Sequence, residues 1–303
     1  MTEIDETDKI GPAQWTLIAV AISLAAGSFF YRYLMPNHRW QSSAMFIGLP
    51  TVLAVLLALT PRAKTVTGGI MKGLTLFLLM IAPLLGEGWL CILMASPLFY
   101  LVGAIVGWVA DWDNKRRGTR LSCLVLVLLP LSLEGVLPQL TVERSQTVRV
   151  TRIVNAPADA VERSLAASPR VTERVPEWIS KGFPQPLAAW GSGLEVGGRR
   201  TIHFAGAEGD PPGDVVMRVA DHQRGYVRFE TVSDSSKLTQ WVRWTSGEVD
   251  WKAIDAQRTS VTWTIHFDRQ LDPAWYFAPW ERAAVHEAAR YLILANATPA
   301  ATR

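Results

Sequence analysis

The sequence predicts a membrane α-helical bundle of about five spans, followed by an α+β domain with an antiparallel sheet and a long C-terminal helix. Long apolar runs are confined to the first 140 residues. From residue 146 apolar residues alternate with polar ones, which is typical of half-buried strands. After Pro273 the pattern returns to the 3.6-residue period of a helix. We therefore place a membrane domain at residues 1–140 and a soluble domain at 145–300.

The composition excludes several classes of protein. A net charge of +3 over 303 residues is too small to indicate a nucleic-acid partner. Cys91 and Cys123 are the only cysteines, and both fall in predicted membrane helices, so no disulfide framework or cysteine-based metal site is expected. The sequence contains no HExxH motif and no phosphate-binding loop. We expect no metal and no cofactor.

The five predicted spans rest on apolar stretches close to the roughly 20 residues that cross a bilayer. A turn at Gly86-Glu87-Gly88 divides the longest apolar stretch into a hairpin of two helices. Proline ends the second and the fifth span. The predicted spans are residues 15–35, 44–60, 69–86, 88–110 and 121–137.

The basic residues between the spans predict an orientation. With five spans, only Arg32 and Arg39 lie in the loop on the outer side. Eight basic residues lie on the other side: Lys9, Arg62, Lys64, Lys72, Lys115, Arg116, Arg117 and Arg120. The positive-inside rule then places the N-terminus in the cytoplasm and the C-terminal domain outside a cell membrane, such as the bacterial inner membrane.

Two acidic residues, Glu87 and Glu134, fall at the same outer boundary of the predicted bundle. An ionisable group at membrane depth is a candidate functional residue. The alternative is that each acid marks the headgroup level at which a helix ends. The sequence favours this second interpretation but leaves both open.

The soluble domain begins with a strand over Thr147–Val154 and a helix that starts near Pro157. Short polar connections between the following strands indicate consecutive hairpins, and thus a meander. The final helix is predicted to place Trp280, Ala284 and Ala288 on its apolar face and Glu281 on its polar face. The five later strands are predicted at residues 200–204, 214–220, 226–232, 241–251 and 258–268.

This order of elements resembles the helix-grip fold of the START-like superfamily, also called SRPBCC, to which polyketide cyclases and lipid-transfer domains belong. The most specific segment is Val150 to Val161 (VTRIVNAPADAV), which is similar to the family's opening strand and first helix. The resemblance covers about residues 146–297. It implies an apolar ligand bound between a curved sheet and the final helix.

The residues agree with such a pocket, because two small side chains on the helix would leave room beside large flat rings on the sheet. The alternative for each ring is ordinary core packing. The pocket candidates are Phe204, Trp241, Trp244, Trp263, Trp280, Ala284 and Ala288.

We therefore expect a membrane-tethered protein that binds a lipid or other apolar small molecule for transfer or sensing at the bilayer. One alternative is a cyclase- or hydrolase-type enzyme on the same fold, which requires polar groups in the cavity; Arg228, Glu230 or Arg243 could point inward if the strand parity is the reverse of the one assumed. Another is an assembly module that binds a second membrane protein. No catalytic residue is assigned, because the candidate groups lack positioned partners.

Overall fold

The computed structural model describes residues 63–85, 89–116, 133–171, 183–206 and 211–299, with residues 15, 18, 19, 22, 23 and 26 in helical conformation. The chain divides into two compact units, Met1–Leu129 and Pro130–Arg303. The predicted span at 44–60, most of those at 15–35 and 121–137, and Glu87 lie outside the described residues.

In the first unit, helices α1 (Val66–Leu85) and α2 (Trp89–Arg116) occupy the positions of the third and fourth predicted spans and pack together. Two glycines let them approach closely, since a Cβ on Gly107 would lie 2.6 Å from the Cα of Thr67. Small residues at this spacing, here Gly103 and Gly107, are common where membrane helices meet. Asp111 accepts the backbone N–H of Val66 at 2.7 Å and so caps the start of α1.

Among the described residues, one helical stretch is long and apolar enough to cross a membrane. It is Ile92–Trp112, with a mean hydropathy of 2.0. Val66–Met80 is apolar but shorter. These are properties of length and composition, and they do not establish the five-span layout or its orientation, which stay predictions.

The second unit contains a seven-stranded sheet in which neighbouring strands are antiparallel. Its order, β1-β7-β6-β5-β4-β3-β2, is the meander expected from the short connections, closed by pairing of the first strand with the last. Strand β2 lies in the glycine- and proline-rich stretch 182–198, for which the sequence left a loop or a hairpin open, and it forms a hairpin with β3. The strands are β1 (Ser145–Val154), β2 (Pro186–Trp190), β3 (Arg199–Phe204), β4 (Gly213–Gln223), β5 (Tyr226–Asp234), β6 (Val242–Ala253) and β7 (Thr259–Arg269).

The core lies on one face of this sheet, called the inner face. Strand β7 shows why, because Val261, Trp263, Ile265 and Phe267 alternate with polar residues, most of them more exposed, and are all at least nine-tenths buried. Helix α3 (Ala158–Ala166) packs on β6, and helix α4 (Ala274–Leu292) packs on β1 and β7. A π-helical turn, Ile293–Ala297, continues α4 and also contacts α3. A curled antiparallel sheet that holds a C-terminal helix is a helix-grip-like arrangement.

The predicted orientation of the final helix was wrong at two positions. Glu281 is buried and Trp280 is 47% exposed. Glu281 turns inward because its Oε1 accepts the backbone N–H groups of Gln270 at 2.9 Å and Leu271 at 3.1 Å, in the turn between β7 and α4. The fully buried residues next along this face are Val285 and Ala289, so Ala284 and Ala288 lie half-buried beside them.

Candidate ligand-binding site

The inner face of the sheet has two halves. Over β1, β7 and part of β6 it is covered by α4 and α3 and forms the core. On β3 to β6 it carries side chains that are only half-buried: Ile202, Phe204, Met217, Thr231 and Trp244. Met217 and Trp244 pack against the core from its margin. An apolar molecule placed here would therefore lie directly against the core of the domain.

The strand register places these residues on one face. Met217 pairs with Arg200 on β3 and with Thr231 on β5, and residues paired across neighbouring strands point to the same side. Trp244 pairs with Phe267, which belongs to the core. The half-buried residues thus form one surface that crosses four strands.

Buried polar atoms without partners lie on the same surface. The Nε1 of Trp244, the Oγ1 of Thr231 and one oxygen, Oδ2, of Asp234 are buried and have no hydrogen-bond partner among the described residues. The other oxygen of Asp234 accepts the backbone N–H of Ser236 at 2.9 Å, and burial raises the pKa of this carboxyl group. Leaving a buried donor or acceptor unpaired costs about 1–3 kcal/mol, so a bound polar group here would be stabilising.

Arg200 is the buried cation of this face. Its guanidinium donates to the carbonyl oxygens of Leu165 and Gly193 and lies 5.2 Å from the ring centre of Phe229. Leu165 is in the last turn of α3, where carbonyl groups are unpaired and the helix dipole is negative. Desolvation lowers the pKa of Arg200 to about 10, so the side chain stays charged at neutral pH. It fastens α3 to the sheet beside the half-buried surface.

The structure brings some of the predicted pocket residues together. Phe204, Trp244 and Trp263 share the inner face, with Trp263 inside the core, Trp244 packed against it and Phe204 half-buried. Trp241 is buried just before β6, with its ring 5.0 Å from that of Phe183 in an edge-to-face contact. Trp280, on α4, is the exception, because almost half of its surface is exposed.

The strand register also decides which polar side chains point outward. Arg228 pairs with Glu230 on β5, and Arg243 donates to Asp268 at 2.9 Å, all on the face opposite the core. His203, on the same outer face, lies 2.6 Å from Asp214. The three polar groups considered for an enzyme, Arg228, Glu230 and Arg243, therefore point away from the inner face.

A groove of about 320 Å³ lies on the outer side of β4 and β5. Its charges are internally satisfied, since Arg218 and Arg228 both pair with Glu230. The groove is lined by Val196, Gly197, Arg218, Val219, Ala220, Asp221, Arg228 and Glu230. No other feature of the described residues indicates that this groove binds a ligand, and we assign no role to the groove.

Glu134 belongs to an ion-pair network at the start of the domain. Its Oε1 accepts the backbone N–H of Ala274, the first residue of α4, at 3.0 Å and lies 3.4 Å from Arg269. Arg269, 1% exposed, also pairs with Asp272, and Asp272 pairs with Arg144 at 2.7 Å. Two arginines thus balance two acids. The prediction that Glu134 marks a membrane boundary stays a prediction, and its ion pair is an additional finding.

Arg269 uses all five of its side-chain donors. Besides the two acids, they reach the carbonyl oxygens of Val142, Glu143 and Leu271, at 2.6, 3.3 and 3.0 Å. The side chain therefore ties residues 133–144, called the linker, to the turn that begins α4. Sequence reasoning missed this role because its partners lie up to 135 residues away along the chain.

Thr231, Met217, Ile202, Asp234 and Arg200 were also missed by sequence reasoning. A signal existed for Arg200, because it occupies an inner position of β3 that alternation reserves for an apolar residue. Thr231 gives no comparable signal, since threonine is common on both faces of a strand.

Comparisons with known proteins give solved structures similar to the C-terminal half. An aromatase/cyclase, ZhuI, from Streptomyces sp. R1128 is 19% identical, covers 50% of this chain and 86% of its own, and has a TM-score of 0.30. A START superfamily protein from Mycobacterium smegmatis is 14% identical, covers 49% and 92%, and has a TM-score of 0.33. Norcoclaurine synthase from Thalictrum flavum is 13% identical, covers 50% and 88%, and has a TM-score of 0.32.

No protein-family model matches the chain, and no curated protein matches it. At such identities and TM-scores the structural similarities carry no argument about what the protein binds or does. The helix-grip-like description rests on the strands and helices of the domain itself.

Proposed function

We propose that the protein is a membrane-tethered binder of a lipid or other apolar small molecule, which lies against the inner face of β3 to β6. The observation that supports this most directly is the surface formed by Ile202, Phe204, Met217, Thr231 and Trp244. These side chains are half-buried, two of them (Met217 and Trp244) pack against the core, and two (Thr231 and Trp244) carry buried polar atoms without partners.

The apolar part of the ligand follows from the four apolar side chains of this surface, Ile202, Phe204, Met217 and Trp244. Each buried CH₂ group of a ligand contributes about 0.8 kcal/mol when it leaves water. A flat or branched hydrocarbon body fits the mixture of an indole, a phenyl ring and a thioether, because such side chains adapt to many apolar shapes.

The polar part of the ligand follows from the unpaired atoms. The indole nitrogen of Trp244 can only donate, whereas the hydroxyl of Thr231 can donate or accept. An uncharged oxygen, such as a carbonyl or hydroxyl group, satisfies both. A carboxylate is a poorer partner, because Asp234 lies on the same face and burial already disfavours its own charge.

The tether is supported by the stretch Ile92–Trp112, which is apolar and 21 residues long. A binding domain on such an anchor stays near the bilayer, where apolar molecules are concentrated. The transfer or sensing role proposed here rests on that proximity.

Native mass spectrometry of the full chain, purified gently from membranes, tests the proposal. We expect a retained apolar small molecule, and we expect Trp244→Phe and Thr231→Val to lower the retained fraction, since each removes one polar contact. The matched controls are Trp190→Phe and Thr201→Val, which lie on the outer face of β2 and β3. A preparation without a retained molecule, or equal losses in the test and control variants, would refute the proposal.

A further inference from the structure

We propose that the exposed apolar side chains of the linker and of the first turns of α4 form a surface that lies on the membrane interface. This surface, called the apolar rim, consists of Val136, Leu137, Leu140, Val142, Trp275 and Trp280. The inference rests on the membrane tether of the proposed function but not on the bound ligand.

The exposure of these residues is the first observation. All six are between 41% and 69% exposed, although each is large and apolar. Single exposed apolar residues are normal on a protein surface, whereas a contiguous group indicates an interaction site.

The Arg269 network holds them together. Glu134 binds the backbone N–H of Ala274, which directly precedes Trp275, and Arg269 binds the carbonyl oxygen of Val142 at 2.6 Å. Gly135 lies against Asp272, close enough that a Cβ there would meet the Asp272 carboxylate at 2.1 Å. The linker and the start of α4 are therefore fixed to one another, although about 130 residues separate them along the chain.

The sequence before the linker indicates which partner covers the rim. Residues 121–132 read LSCLVLVLLPLS, an apolar run without a charge. Val136 follows this run by four residues, so the two are at most about 14 Å apart along the chain. This run makes up most of the fifth predicted span, which the proposed membrane tether would place in the bilayer core. Chain length would then keep the linker end of the apolar rim near the headgroups.

The residue types agree with a lipid interface more than with a protein. Tryptophan is enriched at the boundary between hydrocarbon and water, because its ring is apolar and its N–H needs a polar partner. The rim supplies two such rings, and the linker and α4 also carry basic side chains, Arg144 and Arg282, of the kind that anionic lipid headgroups attract. A bilayer surface satisfies all of these groups at once.

Fluorescence of site-specific labels tests the inference in the full chain. The two cysteines, Cys91 and Cys123, are replaced by serine, and an environment-sensitive dye is attached through Trp280→Cys or, separately, Trp190→Cys. These positions are 47% and 48% exposed, so the free domain offers them equal contact with water. The protein is reconstituted in phosphatidylcholine vesicles with or without a nitroxide-bearing lipid.

We expect the dye at position 280 to be blue-shifted and quenched by the nitroxide lipid, and the dye at position 190 to behave as in water. The tether is common to both variants, so the difference reports on the rim alone. Equal quenching at the two positions would overturn the inference. A dye at 280 that ignores the nitroxide but shifts as protein concentration rises would identify a second copy as the partner, which also overturns it.

A second pair of positions guards against a variant that does not fold. The substitutions are Val142→Cys, in the linker, and Ile153→Cys, near the end of β1, at positions that are 55% and 59% exposed. We expect the dye at position 142 to be quenched by the nitroxide lipid and the dye at position 153 to behave as in water. Near-ultraviolet circular dichroism checks each labelled protein for native packing. Native mass spectrometry on the same preparations reports ligand retention separately, so failure of the proposed function and failure of the rim are distinguishable.

Discussion

Replacement of Arg269 by methionine tests the network that ties the linker to the C-terminal helix. Methionine has a similar length and leaves no large cavity, but it removes five donors at once. Glu134 and Asp272, whose side chains are only 10% and 17% exposed, then lose their shared cation. Breaking a buried ion pair by removing one partner costs about 3–5 kcal/mol.

The chain offers a closely matched control for this substitution. Arg243 pairs with Asp268 at 2.9 Å on the neighbouring strand, but its side chain is 61% exposed. Exposed ion pairs contribute about 0–1 kcal/mol, because water and salt screen them. Arg243→Met therefore measures the loss of an arginine–aspartate pair without the loss of burial.

Thermal unfolding of the full chain in detergent, followed by near-ultraviolet circular dichroism of the buried tryptophans, is the measurement. The unit Pro130–Arg303 falls in a size range where 1 kcal/mol shifts Tm by about 2–4 °C. We expect Arg269→Met to lower Tm by about 6–20 °C and Arg243→Met by at most about 4 °C.

A double-mutant cycle with Glu134→Gln assigns the loss to the pair rather than to packing. The amide keeps an oxygen for the N–H of Ala274 but carries no charge, so we expect it to lessen the cost of Arg269→Met by about 0.5–3 kcal/mol. If Arg269→Met were no more damaging than Arg243→Met, or if the two sites were additive, the network would not hold the linker.

Three further changes have defined outcomes. Burial raises the pKa of Glu281, so the native state binds the proton more tightly than the unfolded chain, and stability falls as pH rises from the ordinary glutamate range through the raised pKa. Glu281→Gln should abolish this loss, which denaturant unfolding at pH 4 to 8 measures (about the range in which a raised carboxyl titrates). Parallel curves of stability against pH for the two proteins would contradict the prediction. Gly135→Ala should destabilise the domain by more than the roughly 1–2 kcal/mol that a positive φ costs an alanine, because its Cβ would also clash with the Asp272 carboxylate. Gly197, with φ +91° and open space around it, is the control: Gly197→Ala should cost only the roughly 1–2 kcal/mol of the positive φ in the same unfolding assay. Gly107→Ala should separate α1 from α2 and lower the helical melting temperature measured by far-ultraviolet circular dichroism. Gly73→Ala, with open space around the residue, should leave that temperature unchanged. Equal effects of the two substitutions would contradict the close helix contact.

The strands of the soluble domain could be predicted because their pattern is local. The alternation over residues 258–268 became β7, and the short polar connections became the turns of a meander, as expected. Such a pattern needs only that one face of the sheet be buried. Strand β2 escaped prediction because its sequence, Pro-Leu-Ala-Ala-Trp, pairs through its backbone at the sheet edge and shows little alternation.

The candidate site could be predicted only in part. Phe204, Trp244 and Trp263 share a face as expected, since large rings on strands of known parity must point to the core. The bulge between Trp244 and Ser246 shifts the parity of β6, and no local pattern gives the position of a bulge. The unpaired Thr231 hydroxyl and Trp244 indole could not be foreseen, because being unpaired depends on every neighbour in space.

The sequence by itself determined the division into an apolar half and an alternating half, the order of the strands and the presence of a long final helix, because these follow from periodicity over adjacent residues. Only the tertiary structure decided which face of that helix is buried. Trp280 has the greater hydrophobic area, yet Glu281 lies inside, because two backbone N–H groups in the preceding turn need an acceptor. The pairing of Glu134 with Arg269 was decided in the same way, by burial that brings distant charges to one place.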